Sequence, residues 1–240
     1  MKVALVTGAG RGLGKAIAER LAADGLRVVI ADRVGAPQVA AEIGGSHGIE
    51  VDLSDPSQTL ALAERVLADH GRCDVLVNNA ARLGLQTLDQ IDIKTFRQFE
   101  AVNIEAPLLL CAKLLPAMAE RGGGRVINLV SNTIWSPPGG PGLIPYITTK
   151  SALLGMTRAL AFEYGPHDVT VNAVAPGLTP TPGSSSDTPQ KAFDAVRAQQ
   201  AINQTLSARD IAGAVSYLAS ADAALVTGQA IRVDGGLVSL

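Results

Sequence analysis

Short apolar runs alternate along the chain with longer segments in which apolar residues recur at helical spacing. The runs are rich in Val, Ile and Leu without polar alternation, and they lie near residues 3–6, 27–31, 48–51, 73–77, 125–130, 169–174 and 229–233. Such runs are typical of strands buried on both faces of a parallel sheet. The segments between them predict amphipathic helices, as at Ile17 and Leu21 or at Leu153 and Leu160. The pattern therefore predicts an α/β fold, a doubly wound parallel sheet of about seven strands with helices on both faces.

Two stretches interrupt this alternation, at residues 136–142 and at about 178–188, where Pro, Gly and Ser cluster. Proline and glycine at this density disfavour a helix or a central strand, so both stretches are expected to be loops. Loops beside a rigid sheet often carry binding sites, although each could equally be a simple surface connection. With no internal repeat and no linker, we expect residues 1–240 to form a single domain with a substrate loop or lid at about 178–205, including a lid helix near 187–201.

The composition removes several functional classes. A formal net charge of -2 gives no electrostatic basis for binding nucleic acid or an anionic membrane. Cys73 and Cys111 are too few for a disulfide framework and indicate a reducing compartment. His47, His70 and His167 are scattered without metal-ligand spacing, so no metal site is expected. The first apolar run is too short for a signal peptide and no stretch approaches a membrane-spanning length, so we expect a cytoplasmic protein.

A glycine-rich segment follows the first strand and leads directly into a helix. Residues 7–14 read TGAGRGLG, in which Gly8, Gly12 and Gly14 allow a sharp turn and a close approach of the backbone to a ligand. The free N–H groups and the positive dipole end of the helix favour a pyrophosphate at this point. The spacing differs from G-x-G-x-x-G, but the position between strand and helix is the one that a Rossmann-type dinucleotide site requires.

The end of the second strand bears on the choice between NAD and NADP. Asp32 lies there, where a carboxylate can accept hydrogen bonds from both hydroxyls of an adenosine ribose. The same carboxylate would repel a 2′-phosphate, which favours NAD. Arg33 beside it and Arg11 within the glycine turn could each bind that phosphate, or could be solvated or paired with nearby acids. We predict NAD as the cofactor and keep NADP as the alternative.

With the glycine turn and Asp32 included, the chain resembles the short-chain dehydrogenase/reductase family over essentially its whole length. The family's motifs occur in order as TGAGRGLG at 7–14, VDLSD at 51–55, DVLVNNAA at 74–81, Asn103, INLVS at 127–131, YITTK at 146–150, VNAVAPG at 171–177 and VDGG at 233–236. Each motif is modest alone, whereas the ordered set is specific. The stretch INLVSNTIW is similar to members that act on aryl alcohols, such as phenylethanol-type dehydrogenases, and to pyridoxal-oxidising members.

The resemblance implies cofactor contacts at the ends of successive strands. They are Gly8, Arg11, Gly12, Leu13 and Gly14 at the pyrophosphate, Asp32 and Arg33 at the ribose, Asp52 and Leu53 at the adenine, Asn79, Ala80 and Ala81 along the cofactor, Tyr146 and Lys150 at the nicotinamide end, and Pro176, Gly177, Leu178 and Thr181 at the carboxamide. Ala81 stands where the family usually has glycine, and we expect its methyl group to cause no loss of binding.

Tyr146 and Lys150 are four positions apart, so they share one face of a predicted helix. A phenol with an ordinary pKa of about 10 is a poor base at neutral pH. A nearby ammonium and a positive nicotinamide would both favour the phenolate, so Tyr146 could take the proton of an alcohol or give one to a ketone. The spacing alone is common by chance, but after the glycine turn and Asn103 it indicates a catalytic pair.

The resemblance also implies a hydroxyl that orients the substrate oxygen and an asparagine that supports a proton relay. Ser131 follows the fifth strand, where the family places its serine, but it lies slightly farther from Tyr146 than is usual, whereas Thr133 has the usual spacing. We prefer Ser131 because the strand fixes its place, while the loop at 137–142 is enlarged. Asn103 matches the family's helix-breaking asparagine, whose backbone carbonyl would hold a water in a proton relay to Lys150. It could otherwise be a helix cap.

The predicted function is an oxidoreductase that transfers a hydride between NAD and a secondary alcohol or ketone, with an aromatic or cyclic substrate favoured. Its substrate pocket would include Ser131, Thr133, Trp135 and Leu143, although Trp135 could equally pack a loop or a subunit interface. Two alternatives stay open. One is an NADPH-dependent ketoreductase, including one that acts on acyl thioesters, and the other is a non-catalytic nucleotide-sensing module. The resemblance further implies a homotetramer or a homodimer.

Overall fold

Seven parallel strands form one sheet within the described residues, which are 1–138, 142–182 and 188–237 of the computed structural model. The strands are β1 (Val3–Thr7), β2 (Arg27–Asp32), β3 (His47–Glu50), β4 (Val75–Asn78), β5 (Gly124–Leu129), β6 (Val169–Pro176) and β7 (Ala230–Val233). Their order is β3-β2-β1-β4-β5-β6-β7. Each apolar run of the sequence therefore forms a strand, and the predicted Rossmann-type doubly wound sheet in a single domain is confirmed.

Helices cover both faces of this sheet. They are α1 (Gly12–Ala23), α2 (Ala36–Glu42), α3 (Pro56–His70), α4 (Ile93–Glu100), α5 (Ala106–Glu120), α6 (Ile144–Tyr164), α7 (Gln190–Gln199) and α8 (Ala208–Ala219). Alternate residues of a strand point to opposite faces. Ala4 and Val6 of β1 accordingly pack with α1, α2 and α8, whereas Val3 and Leu5 pack with α3 and α5. Full burial of β1 on both faces explains why its sequence has no polar alternation.

The strand order reverses between β1 and β4, and this reversal places a crevice at the carboxyl edge of the sheet. The chain segments at that edge follow β1 to β6 in turn, and they are the glycine turn, Asp32, Asp52, Asn79, Ser131 and Gly177. Parallel strands end on the same side of a sheet. The topology therefore gathers residues that are far apart in sequence along one edge.

A continuous helix of 28 residues, from Ile93 to Glu120, corrects two expectations. By length and composition it could cross a membrane, contrary to the expectation that no stretch approaches that length. Its buried residues, such as Leu110, Leu114 and Met118, pack into the core with the strands of the sheet. At Asn103 the helix does not break or begin, because residues Ala101–Glu105 form a π-helical turn that joins α4 to α5.

The predicted substrate loops are described in part. Helix α7, Gln190–Gln199, lies within the range predicted for a lid helix. Residues 183–187 of the predicted lid and residues 139–141 of the proline- and glycine-rich loop lie outside the described residues. A lid function of the segment 178–205 stays a prediction.

Candidate active site

The glycine turn is shaped by the absence of side chains at close backbone contacts. Gly8 has a φ of +64°, and a Cβ there would lie 2.7 Å from the Cα of Ala80. A Cβ at Gly14 would lie 2.2 Å from the carbonyl oxygen of Gly8. Gly12, with a φ of +59°, also adopts the left-handed conformation that favours glycine. These contacts fold the turn tightly against the end of β4 and start α1 at the carboxyl edge.

The N-terminus of α1 fits an anion. Arg11 occupies the capping position without a side-chain hydrogen bond to the helix, and the first turn contains no acidic residue. Uncapped N–H groups and the positive end of the helix dipole therefore face this end of the crevice. Leu13 packs partly buried against the core at the start of the helix. The residues present are thus compatible with a dinucleotide pyrophosphate.

Thr7 and Asn79 join the glycine turn to the end of β4. The Thr7 hydroxyl oxygen accepts hydrogen bonds from the backbone N–H groups of Asn79 and Ala80, each at 3.1 Å. The Asn79 side chain donates to the carbonyl oxygens of Thr7 and Gly8, at 2.9 and 3.0 Å. Sequence reasoning did not assign Thr7 a role, although it is the first residue of the TGAGRGLG motif. These bonds fix the glycine turn against the end of β4.

The Asp32 carboxylate is fixed at the end of β2. One of its oxygens accepts the N–H of Gly10 at 2.8 Å and the other accepts the N–H of Arg33 at 2.7 Å. Each carboxylate oxygen can accept a further hydrogen bond, so ribose hydroxyls remain possible partners. The side chains of Arg11 and Arg33 form no ion pair within the described ranges, and both residues are exposed.

The structure places the other predicted cofactor residues along the same edge. The Asp52 carboxylate accepts hydrogen bonds from the N–H and hydroxyl of Ser54, and the hydroxyl bond is the largest cause that lowers its pKa. Leu53 beside it is buried. Ala81 is exposed and has no positive φ, so its methyl group is accommodated without strain. The expectation that Ala81 causes no loss of binding stays a prediction.

The segment after β6 turns back over the glycine turn. Pro176 is the last residue of β6, and the Gly177 N–H donates to the carbonyl oxygen of Val233 at 2.9 Å. Leu178 is half-buried. The Cβ of Thr181 lies 3.4 Å from the position that a Cβ on Gly12 would occupy. The predicted pyrophosphate and carboxamide segments are therefore neighbours in the fold.

Tyr146 and Lys150 lie together in the first turns of α6. The Lys150 Nζ is 5.8 Å from the centre of the Tyr146 ring and donates a 2.6 Å hydrogen bond to the carbonyl oxygen of Leu129. Lys150 is only 1% exposed, and this burial lowers its pKa to about 7. Burial also raises the pKa of Tyr146, and a side-chain hydrogen bond with Ser131 offsets part of that rise. The expected lowering of the Tyr146 pKa by the ammonium is not seen in the protein alone.

Ser131 and Thr133, the competing candidates for the substrate-orienting hydroxyl, are in direct contact. Ser131 is buried two residues after β5 and caps a short 3₁₀ turn, Asn132–Ile134. The Thr133 hydroxyl lies 2.9 Å from the Ser131 hydroxyl oxygen. Of the two, Ser131 is the one whose hydrogen bond lowers the pKa of Tyr146.

Asn103 connects three parts of the site from the π-helical turn. Its side chain donates to the Arg82 carbonyl oxygen at 3.1 Å and accepts the Arg82 N–H at 2.7 Å. It also donates to the Thr149 hydroxyl at 2.9 Å. The Thr149 hydroxyl lies 3.0 Å from the carbonyl oxygen of Tyr146. Sequence reasoning missed Thr149, since nothing but its place before Lys150 marks it.

Trp135 and Leu143, both predicted to line the substrate pocket, have identifiable neighbours. The Arg232 guanidinium carbon of β7 lies 5.7 Å from the centre of the Trp135 ring, and the ring packs against the cluster that contains Leu153 and Leu154. A role of Trp135 in a substrate pocket stays a prediction. Leu143 precedes α6 and pairs as an isolated bridge with Gln86 of the loop after β4.

The surroundings of two histidines and of both cysteines are defined by the fold. His47 and His70 are neighbours rather than scattered, with ring nitrogens 3.5 Å apart. Among the residues that the structure describes, no group of three or more His, Cys, Asp or Glu could hold a metal ion. Cys73 and Cys111 are buried free thiols, and burial raises the pKa of each to about 12. They behave as small core residues, as predicted.

The fold and this crevice define a Rossmann-type protein. A family profile described as enoyl-(acyl carrier protein) reductase matches residues 8–238. Dehydrogenase/reductase SDR family member 4 of Homo sapiens is 35% identical over 99% of this chain and 88% of its own length. The 3-oxoacyl-[acyl-carrier-protein] reductase FabG of Escherichia coli (strain K12) is 33% identical over 98% of this chain and 97% of its own length. The chain belongs to the short-chain dehydrogenase/reductase family.

Solved structures agree with this assignment. The 3-ketoacyl-(acyl-carrier-protein) reductase from Brucella melitensis, in complex with NADH, has a TM-score of 0.91 at 34% identity and covers 98% of each chain. A blue fluorescent protein from a metagenomic library, in complex with NADPH, also has a TM-score of 0.91 at 34% identity, covering 99% of this chain and 98% of its own. The finer similarity to phenylethanol-type and pyridoxal-type enzymes stays a prediction.

Proposed function

We propose that this protein transfers a hydride between a nicotinamide cofactor and a secondary alcohol or ketone, with Tyr146 as the acid/base group. The observation that carries the proposal is the juxtaposition of Tyr146, Lys150 and Ser131 at the same sheet edge as the glycine turn. A nucleotide-sensing module would need the turn alone. Lys150 is only 1% exposed, and nucleotide sensing alone gives no reason to bury a lysine side chain.

The chain's own residues would orient the substrate and move one proton. A bound nicotinamide supplies the hydride acceptor or donor and, when oxidised, a positive charge. Ser131 holds the substrate oxygen, and the Tyr146 hydroxyl oxygen takes the alcohol proton or returns it to the ketone. Lys150, close to the ring of Tyr146, favours the phenolate when protonated. Because burial brings its pKa to about 7, Lys150 can exchange a proton near neutral pH.

We propose NAD as the preferred cofactor because the Asp32 carboxylate is fixed at the ribose end of the crevice. The N–H groups of Gly10 and Arg33 hold it in place. A fixed carboxylate disfavours a 2′-phosphate more than a mobile one would. The guanidinium groups of Arg11 and Arg33, which form no ion pair among the residues that the structure describes, oppose this preference. One solved relative is named with NADH and another with NADPH.

An apolar substrate is supported by the rim of the site. Leu83 and Leu85, in the loop after β4, are 55% and 68% exposed, and Ile144 at the start of α6 is 46% exposed. The backbone of Gln86 joins this loop to the start of α6 by donating to the Gly142 carbonyl oxygen at 2.8 Å. Apolar walls around a few polar groups are typical of small-ligand sites. This rim suits an aromatic or cyclic alcohol or ketone.

A ketoreductase that uses NADPH, with acyl thioesters among its substrates, is the second candidate. The observation in its favour is the similarity to the Escherichia coli and Brucella melitensis acyl-carrier-protein reductases. The lid at 178–205 and the cytoplasmic location are further proposals that rest on the sequence, whereas a homotetramer or homodimer is a proposal that rests on the family.

Titration of the purified protein with NADH and with NADPH tests both the function and the cofactor choice. We expect tighter binding of NADH, and we expect Asp32→Ala to weaken NADH and strengthen NADPH, changing their affinity ratio by about tenfold or more. Preference for NADPH in the wild type would favour the ketoreductase. Binding of neither dinucleotide would contradict the proposed function.

A further inference from the structure

We propose that Thr133 is a positioning residue, whose hydroxyl fixes Ser131 as a hydrogen-bond donor toward deprotonated Tyr146. The proposal rests on the proposed function, because it concerns the same proton-transfer group. It assigns complementary roles to the two hydroxyls that the sequence presented as alternatives.

The geometry at Ser131 is the starting point. Its hydroxyl oxygen lies 2.9 Å from the Thr133 hydroxyl and 3.3 Å from the Thr133 backbone nitrogen. Both contacts follow from the short 3₁₀ turn that Ser131 caps. Ser131 is only 6% exposed, so its hydroxyl has little access to bulk water as a competing partner.

Counting donors fixes the direction of these bonds. A hydroxyl has one proton to donate and two lone pairs that can accept. The Thr133 N–H can only donate, so it occupies one lone pair of Ser131. A side-chain hydrogen bond with Ser131 also lowers the pKa of Tyr146. A phenolate can only accept, so Ser131 gives its single proton to deprotonated Tyr146, and the Thr133 hydroxyl must then donate to Ser131.

When Tyr146 is a phenolate, the hydrogen bonds can therefore run in only one direction: Thr133 donates to Ser131, and Ser131 donates to Tyr146. Hydrogen bonds in series polarise one another, most strongly away from water. The Thr133 hydroxyl thus stabilises the phenolate without touching it. Without that hydroxyl, Ser131 keeps only the longer bond from the backbone and is less firmly held as a donor.

A spectroscopic titration of Tyr146 in the purified protein tests this role without a substrate. Phenolate absorbance is followed with pH in the wild type, Thr133→Val and Thr133→Ser. Each protein is compared with the same protein carrying Tyr146→Phe, so that the absorbance of Tyr164 and Tyr217 is subtracted. Thr133→Val keeps the branched shape and removes the hydroxyl, whereas Thr133→Ser keeps the hydroxyl. Thermal unfolding of each variant checks that the fold is intact.

We expect Thr133→Val to raise the pKa of Tyr146 by about half a unit and Thr133→Ser to leave it near the wild-type value. An unchanged pKa in Thr133→Val would overturn the proposal, and so would an equal rise in both variants. Retained turnover in Tyr146→Phe would instead contradict the proposed function. The titration would still decide the role of Thr133, so the two failures are distinguishable.

Discussion

The two sides of the carboxyl edge are held together by different kinds of contact. On the β1–β4 side, backbone meets backbone, as where Gly14 leaves room for the carbonyl oxygen of Gly8. On the β5–β6 side, buried and half-buried polar side chains form the contacts, as where Lys150 donates to the carbonyl oxygen of Leu129 and the Thr133 hydroxyl contacts that of Ser131. The first side depends on the absence of a Cβ, and the second depends on polar groups that are kept from water.

This difference has consequences for both stability and function. A close backbone contact admits only glycine, so a single methyl group should destroy it. Buried polar groups can be exchanged for apolar ones of similar size without loss of the fold, but their chemistry is lost. The two sides should therefore respond in opposite ways to substitutions that are conservative in shape.

Gly14→Ala should give the largest effect on the glycine side. The new methyl group would lie 2.2 Å from the Gly8 carbonyl oxygen and 2.8 Å from the Cα of Ala9, both of them backbone atoms. We expect a loss of about 3 kcal/mol in the free energy of unfolding, together with loss of dinucleotide binding. Chemical denaturation and cofactor titration measure the two effects.

Gly155→Ala is the matched control for that variant, because a Cβ on this exposed α6 residue would meet nothing within 4 Å. It should be neutral or stabilising by up to about 1 kcal/mol, since alanine is the better helix former. Equal stability of the two alanine variants would remove the proposed distinction between the two sides.

Lys150→Met should give a smaller effect of the opposite sign on stability. The buried ammonium loses hydration, so a methionine of similar length should stabilise the fold by about 1 to 3 kcal/mol at pH 6 while abolishing turnover. Folding lowers the lysine pKa from 10.5 to about 7, so the unfolded chain binds the extra proton between these values. Wild-type stability therefore gains from this group as pH rises from about 7 to 10.5, and Lys150→Met should lack that gain.

Denaturant unfolding of both proteins across this pH range checks the Lys150 prediction. The difference between the two curves isolates Lys150 from the other groups that titrate in the same range. A variant that is less stable than the wild type at every pH would show that the contact with Leu129 outweighs the cost of burying the charge.

The sequence predicted the sheet well because burial on both faces leaves an unambiguous apolar run at each strand. It also located the glycine turn, Asp32 and the Tyr146–Lys150 pair, since each has a fixed place relative to a strand or a helix. Asn103 was located but its conformation was not. A π-helical turn has no distinctive composition, and the helix continues through it from Ile93 to Glu120.

Contacts between distant side chains could not be predicted. The bond from Asn103 to Thr149 spans 46 positions, and no local pattern links the two residues. The proximity of His47 and His70 depends on the packing of β3 beside the end of α3, which the spacing of the two residues does not reveal. Trp135 was recognised as a candidate by its rarity, but only the fold shows its contact with Arg232.

The turnover of the Tyr146→Phe variant is the measurement that tests the central claim most directly. Wild type and variant are titrated with the preferred dinucleotide and then assayed with a panel of aryl and cyclic secondary alcohols and the corresponding ketones. The account predicts unchanged dinucleotide affinity and a loss of about a hundredfold to ten-thousandfold in turnover, because only the proton-transferring oxygen is removed. Turnover within a few-fold of the wild type would contradict the assignment of Tyr146 as the acid/base group.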